Sequence, residues 1–249
     1  MDLQLNNKRA IVTGSTRGIG FAIASSLVAE GASVFICGRG EDGLGAALAQ
    51  LGPRARGKAF DVRDPLALGS WIEEVAVSGG IDIVVSNVST RIDPASPTWW
   101  PDTFEADLMQ HVRLKSLTLP HLSDGGAMLF MASIASVLTT LPPYEEAYGA
   151  MKAGLVNLVG QWAAALGPKG IRVNAISPGP IDFAGGWWDK VRRANPEAYA
   201  RAALMAALGR LGTPEEVAQA AAFLVSPAAS FITGANLRID GGLVKTANF

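Results

Sequence analysis

The sequence predicts an α/β fold: a doubly wound parallel sheet with helices on both faces. Three observations carry the prediction. Short β-branched runs alternate with longer helical patterns from end to end of the 249 residues, the signature of strands joined by helical crossovers. No linker, repeat or low-complexity block divides the chain, so residues 1–249 read as one domain. A glycine-dense stretch, Thr13–Gly20 (TGSTRGIG), falls between the first strand and the first helix. Such sheets bind ligands there, outside the carboxyl ends of their strands.

Each element follows from its local pattern. Arg9–Thr13 reads as a strand, Gly18–Glu30 as a helix, Ser33–Cys37 as a second strand and Glu41–Leu51 as a Gly/Ala-rich helix. Strands at Lys58–Asp61 and Ile81–Ser86 flank a helix over Pro65–Val77. A helix near Asp102–Leu119, a strand at Ala127–Met131 and a long helix over Ala147–Leu166 come next. Arg172–Ile176 is a further strand, and Pro178–Arg210 reads as irregular and Trp-rich. Thr213 stands as a cap before a helix over Pro214–Val225. Asn236–Ile239 is the last strand.

Composition narrows the function. Net charge is −1 and no basic run occurs, which argues against nucleic acid or an anionic membrane as the main partner. One cysteine, Cys37, excludes an intrachain disulfide framework, and two histidines leave little for a metal site. The first residues, MDLQLNNKRA, lack a signal-peptide layout. The most apolar long run, Ala127–Leu141, has 15 residues with four Ser or Thr, short of the ~20 that span a bilayer. A cytoplasmic setting is the expectation.

The glycine turn points to a dinucleotide. Gly14, Gly18 and Gly20 permit a tight turn and close approach of a diphosphate to backbone N–H groups, with the positive end of a helix dipole behind them. Ser15, Thr16, Arg17 and Ile19 complete the turn. NAD binders place an acid about 20 residues on, against the ribose 2′-hydroxyl; here Cys37-Gly38-Arg39 stands there. Arg39 and Arg17 suit a 2′-phosphate, so NADP is expected ahead of NAD. Glu41 or Asp42 folding back toward a hydroxyl is the NAD alternative, and Arg39 as a solvated surface arginine is the other.

Tyr148-Gly149-Ala150-Met151-Lys152 sets a tyrosine and a lysine on one helix face. An ammonium beside a phenol favours phenolate, which suits Tyr148 to act as general acid for a carbonyl or general base for an alcohol. Lys152 is also placed to hold a ribose. Ser133 ends a strand, where its hydroxyl either binds a substrate oxygen or caps a turn.

In this pattern the chain resembles the short-chain dehydrogenases/reductases, with a TGxxxGxG turn and a YxxxK pair. The likeness runs over nearly the whole sequence: TGSTRGIG, Asp61-Val62, Asn87, Ser133, YGAMK, RVNAISPGPI (Arg172–Ile181), LGTPEEVA (Leu211–Ala218) and Ile232-Thr233-Gly234 through Asp240-Gly241-Gly242. The resemblance implies a Rossmann fold and hydride transfer between a nicotinamide and a substrate carbon. It implies a diphosphate cradled by Gly14–Gly20, Asp61 and Val62 at the adenine, and Asn87 along the adenosine. Pro178 and Gly179 would lie beside the nicotinamide. Ser133 would orient the carbonyl, Tyr148 would transfer the proton, and Lys152 would assist it and bind the ribose. It also implies a homotetramer built through the helices that hold His111 and Tyr148.

The sequence departs from the family at several places. Ser86-Asn87-Val88-Ser89 replaces Asn-Asn-Ala-Gly. His111 stands where the family often has a relay asparagine, either as a proton carrier or packed in a helix interface. The interval from Ser133 to Tyr148 is 15 residues, two more than usual, which makes Ser136 a rival to Ser133. Ile181-Asp182-Phe183 occupies the place of a carboxamide-binding threonine, so Ile181 is expected to serve through its backbone. Enoyl reductases of this fold usually carry a lysine seven residues after the tyrosine; here that residue is Leu155. The segment 178–210, with Gly185-Gly186-Trp187-Trp188, is expected to cover a bulky or aromatic ketone or alcohol. Trp99-Trp100 forms a second aromatic wall or packs on a neighbouring subunit. A non-catalytic NADP-binding regulator is the rival reading.

Overall fold

The computed structural model describes residues 1–90 and 92–246; the last three residues of the expected 1–249 span lie outside them. Strands β1 (Arg9–Val12), β2 (Ser33–Gly38), β3 (Ala55–Ala59), β4 (Ile81–Ser86), β5 (Leu122–Met131), β6 (Arg172–Pro178) and β7 (Asn236–Ile239) form one sheet in the order β3-β2-β1-β4-β5-β6-β7. Every pairing is parallel, so all strand ends with ligand-binding loops lie along one edge. The strand order reverses between β1 and β4, which opens a crevice there.

The helices are α1 (Gly18–Ala29), α2 (Glu41–Leu51), α3 (Pro65–Val77), α4 (Trp99–Phe104), α5 (Gln110–Thr118), α6 (Glu146–Leu166), α7 (Trp187–Ala194), α8 (Pro196–Met205) and α9 (Pro214–Val225). The sheet is buried on both faces. On one face Val12, Ile36 and Leu129 pack with Ile23, Leu27, Val217 and Ala221 of α1 and α9. On the other, Ile11, Val84 and Phe130 pack with Trp71, Leu114, Leu155 and Val159 of α3, α5 and α6. Side chains alternate across a strand, so each central strand feeds both cores and reads as a continuous apolar run.

The predicted α/β sheet is present, and its departures from the element-by-element reading have local causes. β3 starts three residues before the expected Lys58 because it pairs in register with β2, Val34 opposite Ala55 and Gly38 opposite Ala59. It is an edge strand whose Arg56, Gly57 and Lys58 are exposed, so no apolar run marks it. β5 begins at Leu122 through a register shift opposite Ile81 and Ile83; Asp124-Gly125-Gly126 had masked it. The helix expected near Asp102–Leu119 starts earlier and is interrupted by a π turn, Glu105–Met109. The stretch expected to be irregular holds α7 and α8, split at Asn195, whose side chain accepts from the Ala198 N–H at 3.0 Å.

Candidate active site

The turn after β1 is shaped for close approach. Gly18 has φ +58°, and a Cβ there would lie 2.6 Å from the Phe183 ring. A Cβ on Gly20 would collide with the carbonyl oxygen of Gly14. Asn87, one residue past β4, pins the turn: its Nδ2 donates to Thr13 O at 3.1 Å and Gly14 O at 3.0 Å. Arg17 is the N-cap of α1 yet makes no side-chain cap, and no acid occupies the first turn. The positive end of α1 is therefore left for a ligand anion.

A cavity of about 290 Å³ opens over this turn, lined by Gly14, Thr16, Arg17, Ile19, Gly20, Gly38, Arg39, Asp61, Val62 and Asn87. Uncapped helix end, glycines without room for side chains and arginines at the rim fit a dinucleotide. Glu41 and Asp42 line neither this cavity nor the larger one beside it. Ser15 turns inward instead, its Oγ donating to Val12 O at 2.6 Å. Sequence reasoning missed Arg63, which also lines the cavity. Arg63 binds Asp61 through Nη2 at 2.7 Å and Nε at 3.1 Å. That hydrogen bond, chiefly, holds the Asp61 carboxyl below its usual range. The Asp-Val-Arg run was the available signal.

A second cavity of about 1010 Å³ continues along the strand ends and is lined by both Ser133 and Tyr148. Pro178 at the end of β6, with Gly179 and Ile181 after it, lines the cavity together with Arg17, Arg39 and Asn87. Ser133 is extended and begins a short turn, where its Oγ accepts from the Ala135 N–H at 3.1 Å. Ser136 does not line the cavity; its Oγ is buried without a hydrogen-bond partner. The longer interval before Tyr148 builds wall: Leu138, Leu141 and Tyr144 all face the space. Trp187 and Trp188 line it too. Trp99 lines a third cavity of about 270 Å³ that also reaches Tyr148, whereas Trp100 lines none of the three.

Lys152 stands behind this wall rather than in it. Its ammonium lies 5.6 Å from the centre of the Tyr148 ring and donates to Met131 O at 3.0 Å. Oδ1 of Asp107, a residue the sequence reading did not single out, is 3.2 Å from the same nitrogen. His111 is wholly buried, with Nδ1 2.6 Å from Ser86 Oγ. Burial, aided by the charge of Lys152, holds its imidazole well below the ordinary value of 6.5, so it is neutral near pH 7. Leu155, seven residues after Tyr148, is sealed in the core. Among the described residues no group of three or more His, Cys, Asp or Glu is placed to hold a metal.

A family model described as enoyl-(acyl carrier protein) reductase matches residues 14–244. Isoepoxydon dehydrogenase of Penicillium expansum is 37% identical over 249 residues, covering 96% of this chain and 95% of that one. The chain belongs to the short-chain dehydrogenase/reductase family. Its members here include the 3-oxoacyl-[acyl-carrier-protein] reductase of Vibrio cholerae, 32% identical over 97% of this chain and 99% of that protein. The solved L-sorbose reductase of Gluconobacter frateurii, complexed with NADPH and L-sorbose, superposes with a TM-score of 0.91 at 32% identity, over 99% of this chain and all of the other. The Rossmann-type sheet is thus the family's, and the chain is an oxidoreductase acting on CH–OH and C=O groups.

Proposed function

We propose that the chain is an NADP-preferring oxidoreductase that interconverts a ketone and a secondary alcohol. The observation that carries this reading is the shared cavity: Ser133 and Tyr148 face the same space as Arg17, Arg39 and the Pro178-Gly179 turn. When bound, the dinucleotide supplies the hydride or accepts it. The glycine turn and the end of α1 would hold its diphosphate, and Arg17 and Arg39 would hold the 2′-phosphate. The similar sorbose reductase, solved with NADPH, supports that choice. Ser133 Oγ–H donates to the substrate carbonyl oxygen. Tyr148 donates its phenolic proton to that oxygen as the alcohol forms, and takes it back in the reverse direction. Lys152 supports the phenolate from behind.

The substrate is a bulky, largely apolar or aromatic carbonyl compound. Ile134, Leu138, Leu141, Trp187, Trp188 and Met205 supply the walls, the last three from the segment 178–210. Leu155 in place of a lysine favours carbonyl over enoyl reduction. We place the enzyme in the cytoplasm as a homotetramer. No helix among the described residues is long and apolar enough to cross a membrane, and the expected tetramer follows the family.

The test is oxidation of NADPH and NADH against a panel of ketones. Wild type is expected to prefer NADPH, and Arg39→Ala to lose that preference by about tenfold. Tyr148→Phe should lower kcat at least ~100-fold. A wild type that prefers NADH refutes the cofactor assignment, and undiminished turnover by Tyr148→Phe refutes the mechanism. Tight NADPH binding with no carbonyl reduced would favour a binding protein.

A further inference from the structure

The carboxylate of Asp107 meets Lys152 in a place no solvent reaches. The two side chains are 0% and 1% exposed, with Oδ1 3.2 Å from Nζ. Ser89 Oγ donates to the same oxygen at 2.6 Å and fixes its position. Oδ2 is buried with no hydrogen-bond partner. Asp107 lies within the π turn between α4 and α5, and such turns concentrate at functional sites.

We propose that Asp107 is a positioning residue for the Tyr148–Lys152 pair, its carboxylate being the counter-ion that keeps Lys152 an ammonium held behind the tyrosine. The inference rests on the proposed proton transfer by Tyr148 and adds the group that makes Lys152 able to assist it. A buried ammonium that meets only neutral partners is disfavoured. Met131 O accepts a hydrogen bond from Lys152 but brings no charge.

The other ionisable groups near the pair do not take this role. His111 on α5 is neutral and can only oppose a second positive charge. Glu105, from the same π turn, is paired with Arg113. Glu145 before α6 and Lys190 of α7 line the substrate cavity, as do Arg17, Arg39 and Arg63 at its dinucleotide end. Lys152 does not line it. Among the described residues Asp107 is the one acid in ion-pair contact with Lys152.

The two possible signs of the effect differ in consequence. If Asp107 sustains the ammonium, its removal leaves Lys152 either uncharged or displaced. Both outcomes withdraw a positive charge from Tyr148, so phenolate forms only at higher pH. If Asp107 merely offset the ammonium's field, its removal would make phenolate form at lower pH.

The experiment is an ultraviolet titration of tyrosinate, which needs no turnover. The chain has three tyrosines, and subtraction of the Tyr148→Phe curve isolates Tyr148. In Asp107→Asn, with native circular dichroism, the Tyr148 transition should move up by about one pH unit or more. The matching limb of the pH–rate profile should move with it. In a Lys152→Met background, Asp107→Asn should add no shift. A transition that stays in place or moves down, or an equal shift without Lys152, overturns the proposal. Should Asp107→Asn not fold, Ser89→Ala loosens the same carboxylate and should give a smaller upward shift; no movement there overturns it equally. Upward shifts in an enzyme that reduces no ketone would sink the proposed reaction and leave the Asp107 inference standing.

Discussion

Single side chains show where counting along the chain succeeds and where it does not. Tyr148 and Ser133, singled out by their types, their place at strand and helix ends and their motif spacing, line one cavity. Arg63 and Asp107 were not singled out, since neither belongs to a motif itself: each is tied to a motif residue, Asp61 for one and Lys152 on another helix for the other. His111 was legible by position but not by state. Its imidazole reaches Ser86 and stacks edge-on to Phe130, 6.2 Å between ring centres, where protonation is opposed. The sign follows by linkage. The folded chain resists the proton that the unfolded chain takes up near 6.5, so stability present above that pH is lost as pH falls through it. Chemical denaturation between neutral and mildly acidic pH should therefore show falling stability. His111→Asn, which cannot titrate, should flatten that slope; a slope of wild-type steepness would contradict the buried neutral imidazole.

At the level of elements, caps and amphipathic patterns were readable, while interruptions in regular structure were not. α3, α9, β4 and β7 lie where the sequence put them. α9 is fixed by a full capping box: Thr213 N–H donates to Glu216 Oε2 at 2.9 Å and Thr213 Oγ1 accepts from Glu216 N–H at 3.4 Å. Arg210 adds an ion pair at 2.6 Å. Chiefly through that hydrogen bond, the Glu216 carboxyl is held down to about 2 from 4.5. Its stabilising contribution is present above pH 4.5 and is lost as pH falls through about 2. Glu216→Ala should cost about 1 kcal/mol near neutral pH, and the gap from wild type in urea unfolding should narrow below pH 4.5. A gap independent of pH would rule out the charged cap. The π turn before α5 was invisible for a different reason. Its Gln110 N–H donates to Glu105 O, five residues back, so a helix assumed to keep constant pitch is misjudged across it. A ruler with five stretched divisions picks out His111 by count and passes over Asp107.

For the molecule as a whole, alternation of strands and helices was enough to anticipate the sheet. Its exact edges were not, because β3 and the start of β5 are held by pairing rather than by apolar pattern. On the proposed reading the two neighbouring cavities are a dinucleotide groove and a substrate space, so ligand binding should stabilise the fold. NADPH at a hundredfold excess over its Kd should add about 2.7 kcal/mol, seen as a rise in Tm; NADH at the same concentration should add less. Equal rises would count against the arginine-lined groove. The uniform direction of the strands has a practical corollary. Every return from helix to strand lies on the side away from the cavities, and Arg54 before β3 and Lys169 before β6 stand exposed on those returns. A solid support coupled to Lys169, or an affinity handle spliced beside it, would hold the catalyst by its back with the mouth facing the reagents.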